Sequence, residues 1–88
     1  MRELNWVRAE IESIDRTLVR LIGARVRAAR RAAAVKRVAG LPVVDPDQEG
    51  VVVTRAAALA WDVGLPPDEI RGVFAHLIEL GRRAEREP

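Results

Sequence analysis

Three cations and two acids in this 88-residue sequence have the types and spacing to hold a small anionic molecule: Arg8, Arg25, Lys36, Asp45 and Glu49. Arg25 interrupts an otherwise apolar helical seam. A charge there costs several kcal/mol unless paired, so it calls for a carboxylate from the protein or from a ligand. Lys36 is the only lysine in a chain that uses arginine at its 14 other basic positions. Lysine offers a compact point charge on a flexible stem, which a guanidinium does not reproduce. Lys36 therefore either marks a position where arginine does not substitute or is a chance survivor. Arg25 and Lys36 are 11 residues apart. In a helix that is about three turns and about 16 Å on nearly one face, so two long side chains could grip one small molecule. Arg8 lies 17 residues before Arg25, about 25 Å along the axis and roughly a quarter-turn out of phase. It cannot join its own chain's Arg25, but in an antiparallel pair of chains it can reach the partner's. Asp45 and Glu49, at i and i+4, share a helical face and could accept hydrogen bonds from a ligand hydroxyl. A helix cap and a dipole-compensating acid explain them equally well.

Positioning these groups requires long helices. From Leu4 the apolar residues fall at Val7, Ile11, Ile14, Leu18 and Leu21, then at Ala28, Ala32, Val35 and Ala39. Alternating steps of three and four predict one amphipathic helix to about Val38, closed by Gly40. Breakers follow at Gly40-Leu41-Pro42 with Asp45-Pro46, and at Gly64-Leu65-Pro66-Pro67. Asp45-Pro46 predicts an N-cap and first turn of a second helix reaching about Asp62. Val51, Val52 and Val53 lower its propensity and make a strand the local competitor. Ile70, Val73, Phe74, Leu77, Ile78 and Leu80 predict a third helix through about Glu85. The fold class is all-α, with three helices in one domain spanning residues 1–88. The first helix, about 35 residues and about 52 Å long, outreaches the two shorter ones. An intertwined homodimer with shared active sites is therefore expected. A monomeric bundle kinked at Gly23 is the alternative.

Composition narrows the function. With no cysteine, a disulfide scaffold and a cysteine metal site are excluded. Nearly half the chain is apolar, at 49%, which argues against disorder. No apolar run reaches the roughly 20 residues of a membrane span. The start MRELNWVRAE lacks an apolar leader, so a cytoplasmic protein is expected. The pI near 10.4 reflects arginine's high pKa, because the net charge is only +2. Interspersed signs argue against nucleic acid as a partner, and the Arg27, Arg30, Arg31 and Arg37 cluster reads as a solvated face. His76 reads as a surface or packing residue, and Trp6 and Trp61 as core or dimer-interface anchors. Arg82, Arg83 and Arg86 read as a frayed helix end able to tune the field near Glu85.

Taken together, the sequence resembles the all-α chorismate mutase family. The resemblance rests on Arg8-Ala9-Glu10-Ile11, Ile14-Asp15, Ala24-Arg25, Val35-Lys36 and the run from Leu41-Pro42 through Asp45 to Glu49, and extends from about Leu4 to Glu85. Known members are intertwined dimers with three helices per chain. The resemblance implies rearrangement of chorismate to prephenate in aromatic amino-acid biosynthesis, without metal or cofactor. It makes Arg25, and Arg8 from the partner chain, the clamps for two carboxylates. Lys36 becomes the cation beside the ether oxygen. Asp45 and Glu49 match the positions that bind the ring hydroxyl and order the loop.

Three positions depart from the family pattern. Gln48 stands where the motif usually has arginine, Gly81 where many members have a serine that helps hold a carboxylate, and Glu85 where bacterial members usually have glutamine. Glu85 can donate to an ether oxygen only when protonated. The alternatives on the same scaffold are pyruvate elimination from isochorismate and rearrangement of an amino-substituted chorismate, whose ammonium a neutral Gln48 would tolerate. A further alternative is a weakly active domain that depends on an activating pathway enzyme, with the stretch from Arg82 to Pro88 as a contact.

Overall fold

The computed structural model describes residues 1–86, so Glu87 and Pro88, the end of the stretch read as a partner contact, lie outside the described residues. The chain forms three helices: α1 (Arg2–Val38), α2 (Pro46–Asp62) and α3 (Pro67–Arg86). The all-α expectation holds, and the boundaries agree with the sequence signals to within two residues. α1 runs unbroken through Gly23, and the valine run Val51–Val53 is helical, as the alanines after it and the proline before it favoured.

Glycine at the ends of α1 and α2 makes the same kind of stop. Gly40 has φ +71° and Gly64 φ +76°. Gly40 N–H donates to the Arg37 carbonyl and Leu41 N–H to the Lys36 carbonyl. The same pattern joins Gly64 to Trp61 and Leu65 to Ala60. Each turn satisfies carbonyls that the last helical turn leaves open, and it needs a left-handed residue that only glycine supplies cheaply. The turns fold α3 back along α2 and lay it on the C-terminal half of α1, while α1 and α2 do not pack on each other.

The core is small in both senses. Its buried apolar residues are all alanines: Ala33, Ala56, Ala57, Ala60 and Ala84. Gly81 is buried with them. Every residue from 1 to 21 is exposed, including Leu4, Val7, Ile11, Ile14 and Leu18 on the seam. Trp6 and Trp61 are 63% and 76% exposed, so neither is a core residue of this chain. His76 lies on the surface as expected. The radius of gyration is 16.3 Å, against about 12 Å for a compact domain of this length. The longest dimension, 58 Å, is essentially α1 itself. Among the described residues, no helix is long and apolar enough to cross a membrane.

Gly40→Ala should lower the stability of the protein by about 1 kcal/mol, because alanine resists the left-handed conformation. Gly50 sits inside α2 with nothing within 4 Å of where a Cβ would stand. Gly50→Ala should raise stability by about 0.5–1 kcal/mol. Urea denaturation midpoints of both variants check the opposite signs.

Candidate active site

The C-terminal half of α1 changes its seam from large residues to alanines, and this makes a cavity. Ala28, Ala29 and Ala32 line its floor between Arg25 and Lys36. α3 crosses opposite, where a Cβ on Gly81 would stand 3.4 Å from the Ala29 Cβ. The result is an open cleft of about 240 Å³ between α1, α3 and the start of α2.

Each polar group on the cleft wall is held by a different element. The glycine turn after Ala39 points the connector back across α1, and Lys36 Nζ donates to the Val43 carbonyl oxygen at 3.0 Å. That bond pins the connector and uses one of three ammonium donors, leaving two for a ligand. Asp45 caps α2: its Oδ1 accepts from Gln48 N–H at 3.2 Å. The plain reading of Asp45 as a cap is therefore correct, and its second oxygen keeps its acceptor capacity. The side chain of Arg25 is half-buried, with its Cζ 5.9 Å from the centroid of the Phe74 ring. A guanidinium over an aromatic face is stabilised by the ring quadrupole. Among the described residues no carboxylate pairs with Arg25. Of the two sources of a carboxylate expected, protein or ligand, the described residues supply none; the protein supplies an aromatic platform and leaves the guanidinium edge for a ligand.

Two expectations for α3 and its contacts are corrected. Arg82 is not part of a frayed end. Its Nε donates to Glu49 Oε2 at 2.8 Å and its Nη2 to Glu49 Oε1, a two-point fork between α3 and α2. The hydrogen bond to Glu49 raises the Arg82 pKa above its ordinary value, and the nearby charges of Glu49, Glu79 and Glu85 add to this. As a guanidinium, Arg82 is charged with or without this pairing. Glu49 is neither a bare acceptor nor a dipole acid alone; it is one arm of an ion pair. The second correction concerns Arg37, which does not merely face solvent: its Nη2 donates to the Glu85 carbonyl oxygen. This ties the end of α3 to the end of α1 and keeps the half-buried Glu85 at the rim of the cleft.

The cleft therefore gathers Arg25, Lys36, Asp45, Gln48, Glu49, Gly81 and Glu85 from three helices and one connector. Arg8 does not join them; it lies on the exposed N-terminal half of α1. Arg82 lines the cleft as well, and sequence reasoning did not count it as a site residue. A signal was present, since Arg82 precedes Glu85 by three residues and so shares its helix face. Among the described residues the wall charges balance at three cations (Arg25, Lys36, Arg82) and three carboxylates (Asp45, Glu49, Glu85), and the lining holds no hydroxyl, thiol or imidazole. Such a site suits binding and electrostatic orientation of an anion.

The family model described as Chorismate mutase type II matches residues 7–86. The chain belongs to the type II chorismate mutase family. It is also 28% identical, over 85 residues, to the T-protein of Enterobacter agglomerans. That alignment covers 97% of this chain and 23% of the T-protein, so the chain spans about a quarter of that relative's length. The family match runs through α1, the connector, α2 and α3, the elements that build the cleft.

Asp45→Ala should cost about 1 kcal/mol of stability through the lost cap, whereas Asp45→Asn should keep most of it. Thermal unfolding of the two variants separates the capping contribution from any loss of ligand binding.

Proposed function

We propose that this chain is a chorismate mutase of aromatic amino-acid biosynthesis, acting in the cytoplasm as a homodimer whose two sites are shared between chains. The observation that carries the reading is the pair of unspent cations on one face of α1. Arg25 has an aromatic platform and no carboxylate partner among the described residues, and Lys36 keeps two free donors about 16 Å along the axis. Two long side chains converging from such positions fit a compact dicarboxylate between them.

The rearrangement moves electrons around a six-membered ring of reacting atoms. One C–O bond breaks as one C–C bond forms, with no proton transfer. The protein then has two tasks. Arg25, and Arg8 reaching in from the second chain, hold the two carboxylates so that the reacting carbons sit near attack distance, which removes entropy from the barrier. Lys36 faces the ether oxygen and stabilises the negative charge that grows there as the bond breaks. Glu85 lines the same cleft at its rim. Asp45 and Glu49 accept from the ring hydroxyl.

Dimerisation is supported by the uncovered seam. Five large apolar residues from Leu4 to Leu18 are at least 42% exposed on one face of α1. An alanine core of this size leaves most of the available hydrophobic stabilisation unrealised in a single chain. A second copy, antiparallel along α1, would cover that seam and bring its Arg8 toward Arg25.

The direct test incubates the protein separately with chorismate, isochorismate and 4-amino-4-deoxychorismate between pH 5 and 8, with products identified by mass and NMR. Prephenate from chorismate is expected. Pyruvate from isochorismate, or conversion of the amino compound alone, would replace this reading with the corresponding sister activity. Lys36→Ala should lower kcat at least about a hundredfold, as removing one transition-state donor does elsewhere, while helix content by circular dichroism stays near that of the parent.

Shared sites give a second test. Arg8→Ala and Lys36→Ala should each be nearly inactive. Mixed, denatured and refolded together, they should recover about one quarter of parental activity, since random pairing makes half the dimers mixed, each with one intact site. No recovery would mean that each site is built within one chain.

A further inference from the structure

We propose that Arg82 sets the charge of the cleft wall formed by α2, and thereby makes the site select a hydroxyl-bearing ring over an ammonium-bearing one. This rests on the proposed mutase reading and deepens it. Arg82 is a positioning residue in this role, acting through Glu49.

Three observations carry the inference. Both oxygens of Glu49 are engaged by one guanidinium, through Nε at 2.8 Å and through Nη2. The fork joins residues 33 apart in sequence, and both side chains are largely shielded, at 32% and 24% exposure. Lastly, Gln48 beside Glu49 is neutral, so among the described residues the cation that touches Glu49 comes from α3 alone.

The chemistry follows from what each ring substituent demands. A carboxylate offers about four lone-pair directions and the fork occupies two, so Glu49 can still accept a hydrogen bond from a hydroxyl. A hydroxyl needs only that acceptor. An ammonium needs uncompensated negative charge, and here it would stand beside a guanidinium that has already neutralised Glu49. Arg82 also serves the rest of the substrate. Among the described residues of one chain, the wall with Arg82 carries three cations and three carboxylates; without it that chain's carboxylates outnumber its cations, and a dianion is held less tightly.

The test measures kcat and KM for chorismate and for 4-amino-4-deoxychorismate in the parent, Arg82→Gln, Arg82→Lys, Glu49→Gln and the double variant Arg82→Gln/Glu49→Gln. Calorimetry adds the affinity for prephenate. Arg82→Gln should raise the chorismate KM about tenfold and lower the KM of the amino compound about tenfold, with kcat for chorismate changing much less. Arg82→Lys should recover most of the chorismate preference by keeping the charge. Glu49→Gln should shift selectivity the other way, and the double variant should return the KM for chorismate toward the parental value. If Arg82→Gln does not fold, Glu49→Gln decides the matter: it should raise the preference for chorismate above the parental value, while Arg82→Lys stays near it. A parent that converts chorismate, with a selectivity ratio unmoved by any of these changes, or with both substrates weakened equally by Arg82→Gln, overturns the inference alone. A parent that converts neither compound and does not bind prephenate overturns the mutase reading, and this inference falls with it.

Discussion

The structure depends on the rigidity of one long helix. α1 spans 37 residues without a break, so its length fixes the phase and separation of Arg25 and Lys36 before any other element is placed. A helix of that length has a face that two helices of 17 and 20 residues cannot cover. The chain resolves the two demands by dividing α1. Its N-terminal half carries large residues and is left bare. Its C-terminal half carries alanines, which let α3 come close while leaving volume between Arg25 and Lys36. A seam of leucines throughout would have filled the cleft, and a seam of alanines throughout would have left the proposed second chain little to bury against.

Within the cleft, nearly every charge is tied to something that orients it. The Lys36 ammonium holds the connector at Val43, and the Asp45 carboxylate holds the first turn of α2. Glu49 is held by Arg82, and Arg37 fastens the backbone at Glu85. These bonds order the site before a ligand arrives, so less conformational entropy is lost on binding. Arg25 is the exception. Its platform is aromatic, which fixes its position without spending its hydrogen bonds. A site with one uncommitted guanidinium and a second cation with donors to spare is matched to a ligand with more than one anionic group.

Much of this was legible from spacing. The three-and-four rhythm located α1, the Gly-Pro clusters located both turns, and Asp45-Pro46 located the start of α2 within a residue. These signals are local, because helix caps and amphipathic faces are decided over a few neighbouring residues. The site residues that the family resemblance implies are brought together by the fold, except Arg8; Arg82 joins them unannounced. What spacing did not reveal were the pairings between helices. Arg82–Glu49 and Arg37–Glu85 join residues 33 and 48 positions apart. In an arginine-rich helix end, only the face shared with Glu85, three residues on, sets Arg82 apart from the guanidiniums that face water. Of the two readings of the tryptophans, core or dimer-interface anchor, core fails for a related reason: their size argues for burial, but burial requires a surface to pack on, and within one chain the core offers alanines.

The departure at Gln48 is best understood together with Arg82. Taken alone, a glutamine where the family pattern usually has arginine removes a cation from the neighbourhood of Glu49 and leaves an acidic wall facing the proposed anionic substrate. The structure restores a cation at that point from the opposite helix, with bidentate geometry. Charge at a site is a property of the space and not of the sequence position, because Coulomb interactions depend on separation and surroundings, not on which helix carries the group. A residue-by-residue match to a family pattern therefore misjudges a site when a compensating charge arrives from elsewhere in the fold. Here the compensation is one residue beyond Gly81, on the helix face that already carries Glu85. The wall that looked depleted in the sequence is electrically complete in the fold.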